Sequence, residues 1–157
     1  MDCTSAFTSC AGINTIAMNV KYRLESIVET EYKYNCDCIE ETVKPEDVSI
    51  QIGHSINPVM DNNRIIVSVK ANVVSKKSDV LLVTNTVVSS FEIIPIKEVI
   101  SYDKDGNAAT GNAMLLDTFI VTAVGALRGV LMKNLKGTPL DFVVIPLIPI
   151  EDFRTKQ

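Results

Sequence analysis

Apolar and polar residues alternate at 16–24, 48–56 and 65–73, which is the pattern of half-buried β-strands. A fourth stretch, residues 80–94, is a long run rich in β-branched residues and also predicts a strand. Short polar segments separate the last three, DNN at 61–63 and SKKSD at 75–79, and their composition is typical of turns. The pattern therefore predicts an antiparallel meander of three strands with one apolar face and one solvated face, preceded by a fourth strand.

The segments outside these strands show no strand period. We expect residues 1–15 to form a flexible N-terminal arm and the polar, acidic residues 29–47 to form a loop. Residues 102–112 predict a turn-rich loop, and its DKDG stretch is similar to a calcium loop. The glycine comes two positions early and Met114 stands where the terminal Glu is needed, so no metal site is predicted. Residues 16–157 are expected to form a single domain.

One long helix is predicted at residues 113–136, followed by Gly137, a residue favoured just after a helix ends. Apolar residues cover well over half of its circumference, so it must be covered on more than one side. A stripe of small residues runs along it and permits close approach of another helix. These residues are Thr118, Thr122, Gly125 and Gly129. We expect this stripe to be an oligomer interface.

The same helix has the length of a membrane span. Asp117 and Arg128 lie within it, and charged residues are costly inside a bilayer. The expectation is therefore a helix buried in an oligomer, with no membrane insertion. We interpret Asp117 and Arg128, which share one helix face, as interface or solvent charges.

After the helix, every residue from 142 to 150 is apolar or proline. Pro146 and Pro149 lack an N–H group, which argues against a central strand of a sheet. Such an extended apolar segment either covers the core of its own subunit or contacts a partner, and both can hold for different side chains.

Composition narrows the function classes. Hydrophobic residues make up 46% of the chain and the mean hydropathy is +0.21, values that indicate apolar surface for a subunit interface, a membrane or an apolar ligand. A net charge of −4 excludes a basic nucleic-acid-binding face. Neither a phosphate loop nor a nucleophile motif is present, so no enzyme activity and no cofactor are predicted. His54, at an apolar strand position, is interpreted as structural.

All four cysteines lie in the first quarter of the sequence, at Cys3, Cys10, Cys36 and Cys38. The last two are separated by one residue, which is too tight for most zinc sites. The N-terminal residues show neither a basic region nor an apolar core typical of a secretory signal. The expectation is a cytoplasmic protein with reduced thiols.

With the order of elements established, the sequence resembles the SecB family of export chaperones. Residues 44–74 resemble the family's first long strand, crossover and second strand, and SSFEI at 89–93 resembles the end of its third strand. Residues 126–153 resemble the family's helix, its Gly-Thr exit and the extended segment that follows. The positions that carry this likeness are Arg128, Gly137, Thr138, Pro146 and Phe153.

The resemblance implies an α+β fold, with a four-stranded antiparallel sheet packed by one long helix. It also implies a homotetramer built as a dimer of dimers, and ATP-independent holding of unfolded polypeptides or preproteins. Clients would lie in an apolar groove between the helix, the crossover and the post-helix segment. The expected client contacts are Ile56, Phe119, Phe142, Val144, Leu147, Ile150 and Phe153.

Two departures from the family pattern leave a translocation motor uncertain as a partner. The acidic tail that contacts the motor has no counterpart before Gln157, and the acidic docking position of the third strand falls on Thr84. A SecB-like chaperone with another client, such as an antitoxin, stays open. The alternative is a structural or assembly protein whose apolar surfaces serve only its own oligomer.

Overall fold

The computed structural model describes residues 14–16 and 20–154 of the chain. Its main sheet has four long strands: β2 (Val20–Tyr34), β3 (Val48–Val59), β4 (Arg64–Ser75) and β5 (Leu81–Ile94). The three-residue strand β1 (Asn14–Ile16) pairs with the start of β2. The strand order is β1-β2-β5-β4-β3, and every neighbouring pair is antiparallel. The predicted meander of β3, β4 and β5 is confirmed.

Strand β2 differs from the prediction because it continues through residues that were expected to form a loop. Tyr32 pairs with Asn85 and Tyr34 with Val83 of β5. Residues 29–34 are polar, which predicted a loop, but a strand near the sheet edge needs few buried side chains. The rest of the predicted loop, from Asn35 to Asp47, contains two short 3₁₀ turns. Residues 1–13 of the predicted arm lie outside the described residues.

Helix α1 (Ala113–Leu135) begins where Asn112 accepts a hydrogen bond from the backbone N–H of Leu115 at 3.2 Å. It ends before Gly137, whose φ of +79° lies in the left-handed region. The helix packs on β4 and β5. Its buried residues are Leu115, Phe119, Ile120, Ala123, Val124, Leu127, Leu131 and Leu135.

One face of the sheet forms the core under this helix. Val67, Val69 and Ala71 of β4 are fully buried, and so is Val87 of β5, which pairs with Val69. Because side chains alternate along a strand, the residues between them face the other side of the sheet. This layering agrees with the predicted α+β architecture.

Charged residues cover the opposite face of the sheet. Arg64 donates to Glu25 at 2.6 and 3.1 Å, and Lys70 donates to Glu31 at 3.1 Å. Hydrogen bonds from Lys33 and Lys70 lower the pKa of Glu31 to about 2. These ion pairs join β4 to β2 across the intervening strand β5, so this face is charged yet locally neutralised.

The predicted loop before α1 contains a small hairpin. Strands β6 (Ile100–Tyr102) and β7 (Ala108–Thr110) pair antiparallel. The Asp103 carboxylate accepts hydrogen bonds from the backbone N–H groups of Asp105 and Asn107 at 2.9 and 2.8 Å, closing the turn. The chain then enters α1 and, after it, the post-helix segment and the four-residue helix α2 (Glu151–Arg154).

In the described part of the chain, α1 is long and apolar enough to cross a membrane. The mean hydropathy of its most apolar window is 1.7. A core helix of a soluble protein passes the same test. In this fold, α1 packs one side against the sheet.

Candidate functional site

Strand β3 supplies an apolar row on the helix side of the sheet. Ile50, Ile52, His54 and Ile56 pair with Val73, Ala71, Val69 and Val67, which are all buried under α1. The pairing places the β3 side chains on that same face. Each of these four residues is only partly buried, because β3 is the outermost strand and α1 lies over β4 and β5.

The post-helix segment forms a second wall opposite this row. Val143 and Ile145 are buried and anchor it in the core. Arg128 of α1 donates to the carbonyl oxygen of Ile145 at 2.7 Å and to that of Pro146 at 2.9 Å. These charge-assisted hydrogen bonds fix the path of a segment that does not pair with any strand of the sheet. Arg128 was interpreted as an interface or solvent charge, and in the structure it positions this wall.

Three adjoining cavities lie along β3, and we call them together the β3 groove. The first measures about 330 Å³ and is lined mainly by Ile50, Ile52, His54, Pro146, Ile148 and Phe153. The second, of about 250 Å³, is bounded mainly by Ile56, Leu116, Ile120 and Phe153, and Asp117 and Arg154 also line it. The third, of about 400 Å³, extends from His54 and Ile56 to the β6–β7 hairpin. Shared lining residues show that the three cavities adjoin.

Helix α2 closes the groove partway along its length. Phe153 is only 6% exposed, and its ring meets His54 edge to face with centroids 5.1 Å apart. The next residue, Arg154, forms an ion pair with Asp117 near the start of α1. The hydrogen bonds to Asp117 raise the pKa of Arg154. The interpretation of Asp117 as an interface or solvent charge therefore needs correction: it fastens the last described turn of the chain.

The expected client contacts fall into three environments. Val144 and Leu147 are 44% and 89% exposed, and Ile56, Phe142 and Ile150 are partly buried. Phe153 is buried within the groove. Phe119 is 1% exposed and stacks on Phe91 at 4.1 Å between ring centroids, so it belongs to the core and is closed to a client in this chain.

Sequence reasoning missed part of the groove. Ile50, Ile52 and Ile148 line it, although only Ile56 of β3 was chosen. The alternation that placed Ile56 on one face also placed Ile50 and Ile52 there, so the signal was present. Nothing local in the sequence indicates Ile148, since its position depends on the path that Arg128 imposes.

A second apolar surface lies on the side of α1 that faces away from the sheet, and we call it the outer stripe. Its members follow the three- and four-residue spacing of one helix face: Met114, Thr118, Val121, Gly125, Gly129 and Met132. Met114, Val121 and Met132 are 78%, 57% and 48% exposed. A Cβ atom built on Gly125 or Gly129 meets nothing within 4 Å.

The hydroxyl groups on this side of α1 are satisfied within the helix. Thr118 donates to the carbonyl of Met114 at 2.9 Å, and Thr122 donates to that of Thr118 at 2.7 Å. The outer stripe therefore presents methyl groups, methionines and bare backbone. Of the four predicted interface residues, Thr118, Gly125 and Gly129 are exposed and Thr122 is partly buried at the margin.

Among residues 20–154, no group of three or more His, Cys, Asp or Glu side chains is arranged to hold a metal ion. Cys36 and Cys38 are exposed free thiols. Cys3 and Cys10 lie outside the described residues.

The fold is similar to that of Rv1957, a SecB-like chaperone of Mycobacterium tuberculosis, solved in complex with a ChAD peptide from the Rv1956 HigA1 antitoxin. The TM-score is 0.54 at 9% sequence identity, over 81% of this chain and 90% of that chain. No protein-family model and no curated protein match the sequence. The chain therefore has a SecB-like fold.

Proposed function

We propose that this protein is an ATP-independent chaperone that holds unfolded or non-native polypeptides in the β3 groove. The observation that carries the proposal is the groove itself: apolar walls, adjoining cavities and an edge strand in a SecB-like fold. Apolar burial is non-directional, so such a surface accepts many sequences. The peptide bound to Rv1957 supports polypeptide binding as the general activity of this architecture.

The free edge of β3 adds a second means of holding an extended chain. β3 contains no Asp, Glu, Lys or Arg over its 12 residues, and its pairing with β4 shows no register shift. Charges, prolines and bulges are the usual devices that protect an edge strand from pairing with another chain. The proline of β3, Pro58, lies next to the last residue of the strand, so the rest of the edge has none of these devices. An extended client placed there would gain main-chain hydrogen bonds while alternate side chains enter the groove.

We further propose that the protein assembles as a homotetramer, a dimer of dimers, through the outer stripe. Methionines and valine provide apolar area, while Gly125 and Gly129 let a second helix approach closely. An exposed apolar face of this kind is uncommon on a soluble monomer. The stripe lies on the opposite side of α1 from the sheet, so self-association leaves the β3 groove accessible.

The destination of a held client depends on the surface that the protein offers to a motor. Delivery to an export motor is one route, and Thr84 stands where the family has an acidic docking residue. Thr84 is also 2% exposed and donates to Asn72 at 2.9 Å, so it presents little to a partner. These features favour holding of cytoplasmic clients, including a dedicated one such as an antitoxin, over motor delivery.

The test is suppression of aggregation. A chemically unfolded model protein is diluted into buffer with and without a stoichiometric amount of this protein, without nucleotide, and light scattering is recorded. A holdase lowers the scattering in proportion to its concentration. Unchanged scattering from a folded, oligomeric preparation contradicts the proposal.

The second candidate is a structural assembly protein without clients. The outer stripe favours it, because this surface is suited to self-association alone. In that case all exposed apolar area is covered in the oligomer. The fluorescence of a hydrophobic dye distinguishes the two candidates. It rises with an oligomer whose groove is open, and it stays low with an oligomer whose apolar surfaces are all covered.

A further inference from the structure

Phe153 occupies a position that a bound polypeptide would need. It lines both the first and the second cavity of the β3 groove and is 6% exposed, although it lies in a four-residue helix near the end of the described chain. Its edge contact with His54 places it against the floor of the groove. The groove is thus divided by a side chain of the protein itself.

Two arginines hold the segment that carries Phe153, and their surroundings differ. Arg128 binds the carbonyl groups of Ile145 and Pro146, next to residues anchored in the core. Arg154 binds the carboxylate of Asp117 with both Nε and a terminal nitrogen, the Nε bond being 3.2 Å. The Arg154 side chain is 52% exposed and that of Asp117 is 19% exposed.

The exposed end is the weaker attachment. An ion pair with one half-exposed partner is screened by salt and contributes little to stability. The Arg128 end involves neutral carbonyls beside buried side chains and depends less on salt. The segment can therefore release at Arg154 while it stays attached at Arg128.

We propose that Phe153 is an internal occupant of the β3 groove, latched by the Arg154–Asp117 ion pair, and that a client's apolar side chain displaces it. This inference rests on the proposed function and deepens it, because it makes client affinity depend on a release step. The apparent affinity equals the intrinsic affinity multiplied by the fraction of molecules in which Phe153 has left the groove. Weakening the latch then raises client affinity, whereas removing a side chain that contacts the client would lower it.

The experiment measures binding of a fluorescent, permanently unfolded apolar peptide to the full chain by polarisation. Asp117→Asn keeps the side-chain size and removes the charge, and Phe153→Ala empties the occupied position. Both variants are expected to bind several-fold more tightly than the parent. Asp47→Asn is the matched control, since it breaks the Lys77–Asp47 pair, whose carboxylate has a similar exposure of 23%. It is expected to leave the affinity unchanged.

Two further readouts separate a latch from a merely structural contact. Raising the salt concentration should tighten binding by the parent and have no such effect on Asp117→Asn. The exchange of charges in a double variant, Asp117→Arg with Arg154→Asp, should restore the parent's affinity. Weaker or equal binding by both Asp117→Asn and Phe153→Ala, with the fold retained by circular dichroism, would overturn the latch.

Failure of the latch and failure of the proposed function give different results. If the parent protein binds the peptide and the variants bind it no more tightly, the latch is contradicted and the holdase proposal stands. If the parent binds no unfolded chain, the holdase proposal is contradicted. Occlusion is then tested with the hydrophobic dye alone: brighter fluorescence with Asp117→Asn than with Asp47→Asn supports the latch, and equal fluorescence overturns it.

Discussion

The outer stripe of α1 and the β3 groove are both exposed and apolar, yet they differ in shape. The stripe is a convex helix face with internally bonded hydroxyls and two glycines that face open space. The groove is concave, contains adjoining cavities and is bounded by a segment without regular structure. A narrow convex face suits one complementary partner, and a concave space with several cavities suits side chains of varied shape. Apolar exposure alone therefore does not define a binding site.

Phe119 lies in the core beneath both surfaces, so its removal should have the largest effect on stability. Phe119→Ala removes a fully buried ring that stacks on Phe91, and such changes typically lower the free energy of unfolding by about 3–5 kcal/mol. Urea denaturation followed by circular dichroism measures this. Loss of peptide binding without a loss of stability would instead return Phe119 to the client contacts.

Gly125→Leu targets the outer stripe alone. A Cβ atom at this position meets nothing within 4 Å in its own subunit, and leucine is favoured over glycine in a helix by about 1 kcal/mol. The expected result is a smaller molar mass by light scattering with no loss of thermal stability. Lys104→Leu, in the exposed β6–β7 turn, is the control and should leave the mass unchanged. An unaltered mass for Gly125→Leu would contradict the proposed interface.

Leu147→Asp targets the post-helix wall alone. Leu147 is 89% exposed, so the charge disturbs little within the chain. If a client covers this side chain, the loss of apolar burial should weaken peptide binding by about tenfold. Fluorescence polarisation measures the affinity, and Leu81→Asp applies the same change to an exposed leucine away from the groove. Equal affinities for the two variants would remove Leu147 from the client contacts.

A substitution on the charged face of the sheet should have the smallest effect. It also tests whether either apolar surface depends on that face. The folded-state pKa of Glu31 is about 2, below its ordinary 4.5. Its contribution to stability is therefore present above pH 4.5 and is lost as the pH falls toward 2. Glu31→Gln should reduce the slope of unfolding free energy against pH in that window. A changed peptide affinity at neutral pH would contradict the separation of these surfaces.

Local pattern determined much of the fold. Alternation of apolar and polar residues identified β3 and β4, and a run rich in β-branched residues identified β5. The span of α1 followed from its apolar content and from Gly137. These features depend on the period of side chains along each element, which is written in consecutive residues. The two prolines correctly indicated that the post-helix segment does not join the sheet.

Only the tertiary structure decided which apolar residues are buried. The sequence treats Phe119 and Leu147 alike, but one is enclosed between α1 and β5 while the other faces solvent. A helix that is apolar nearly all round carries no signal for the side that meets the sheet. In the same way, pairing with β5 imposes a strand on the polar end of β2. Arg128 and Arg154 acquire their roles because the chain returns past α1, and that return depends on contacts between residues distant in sequence.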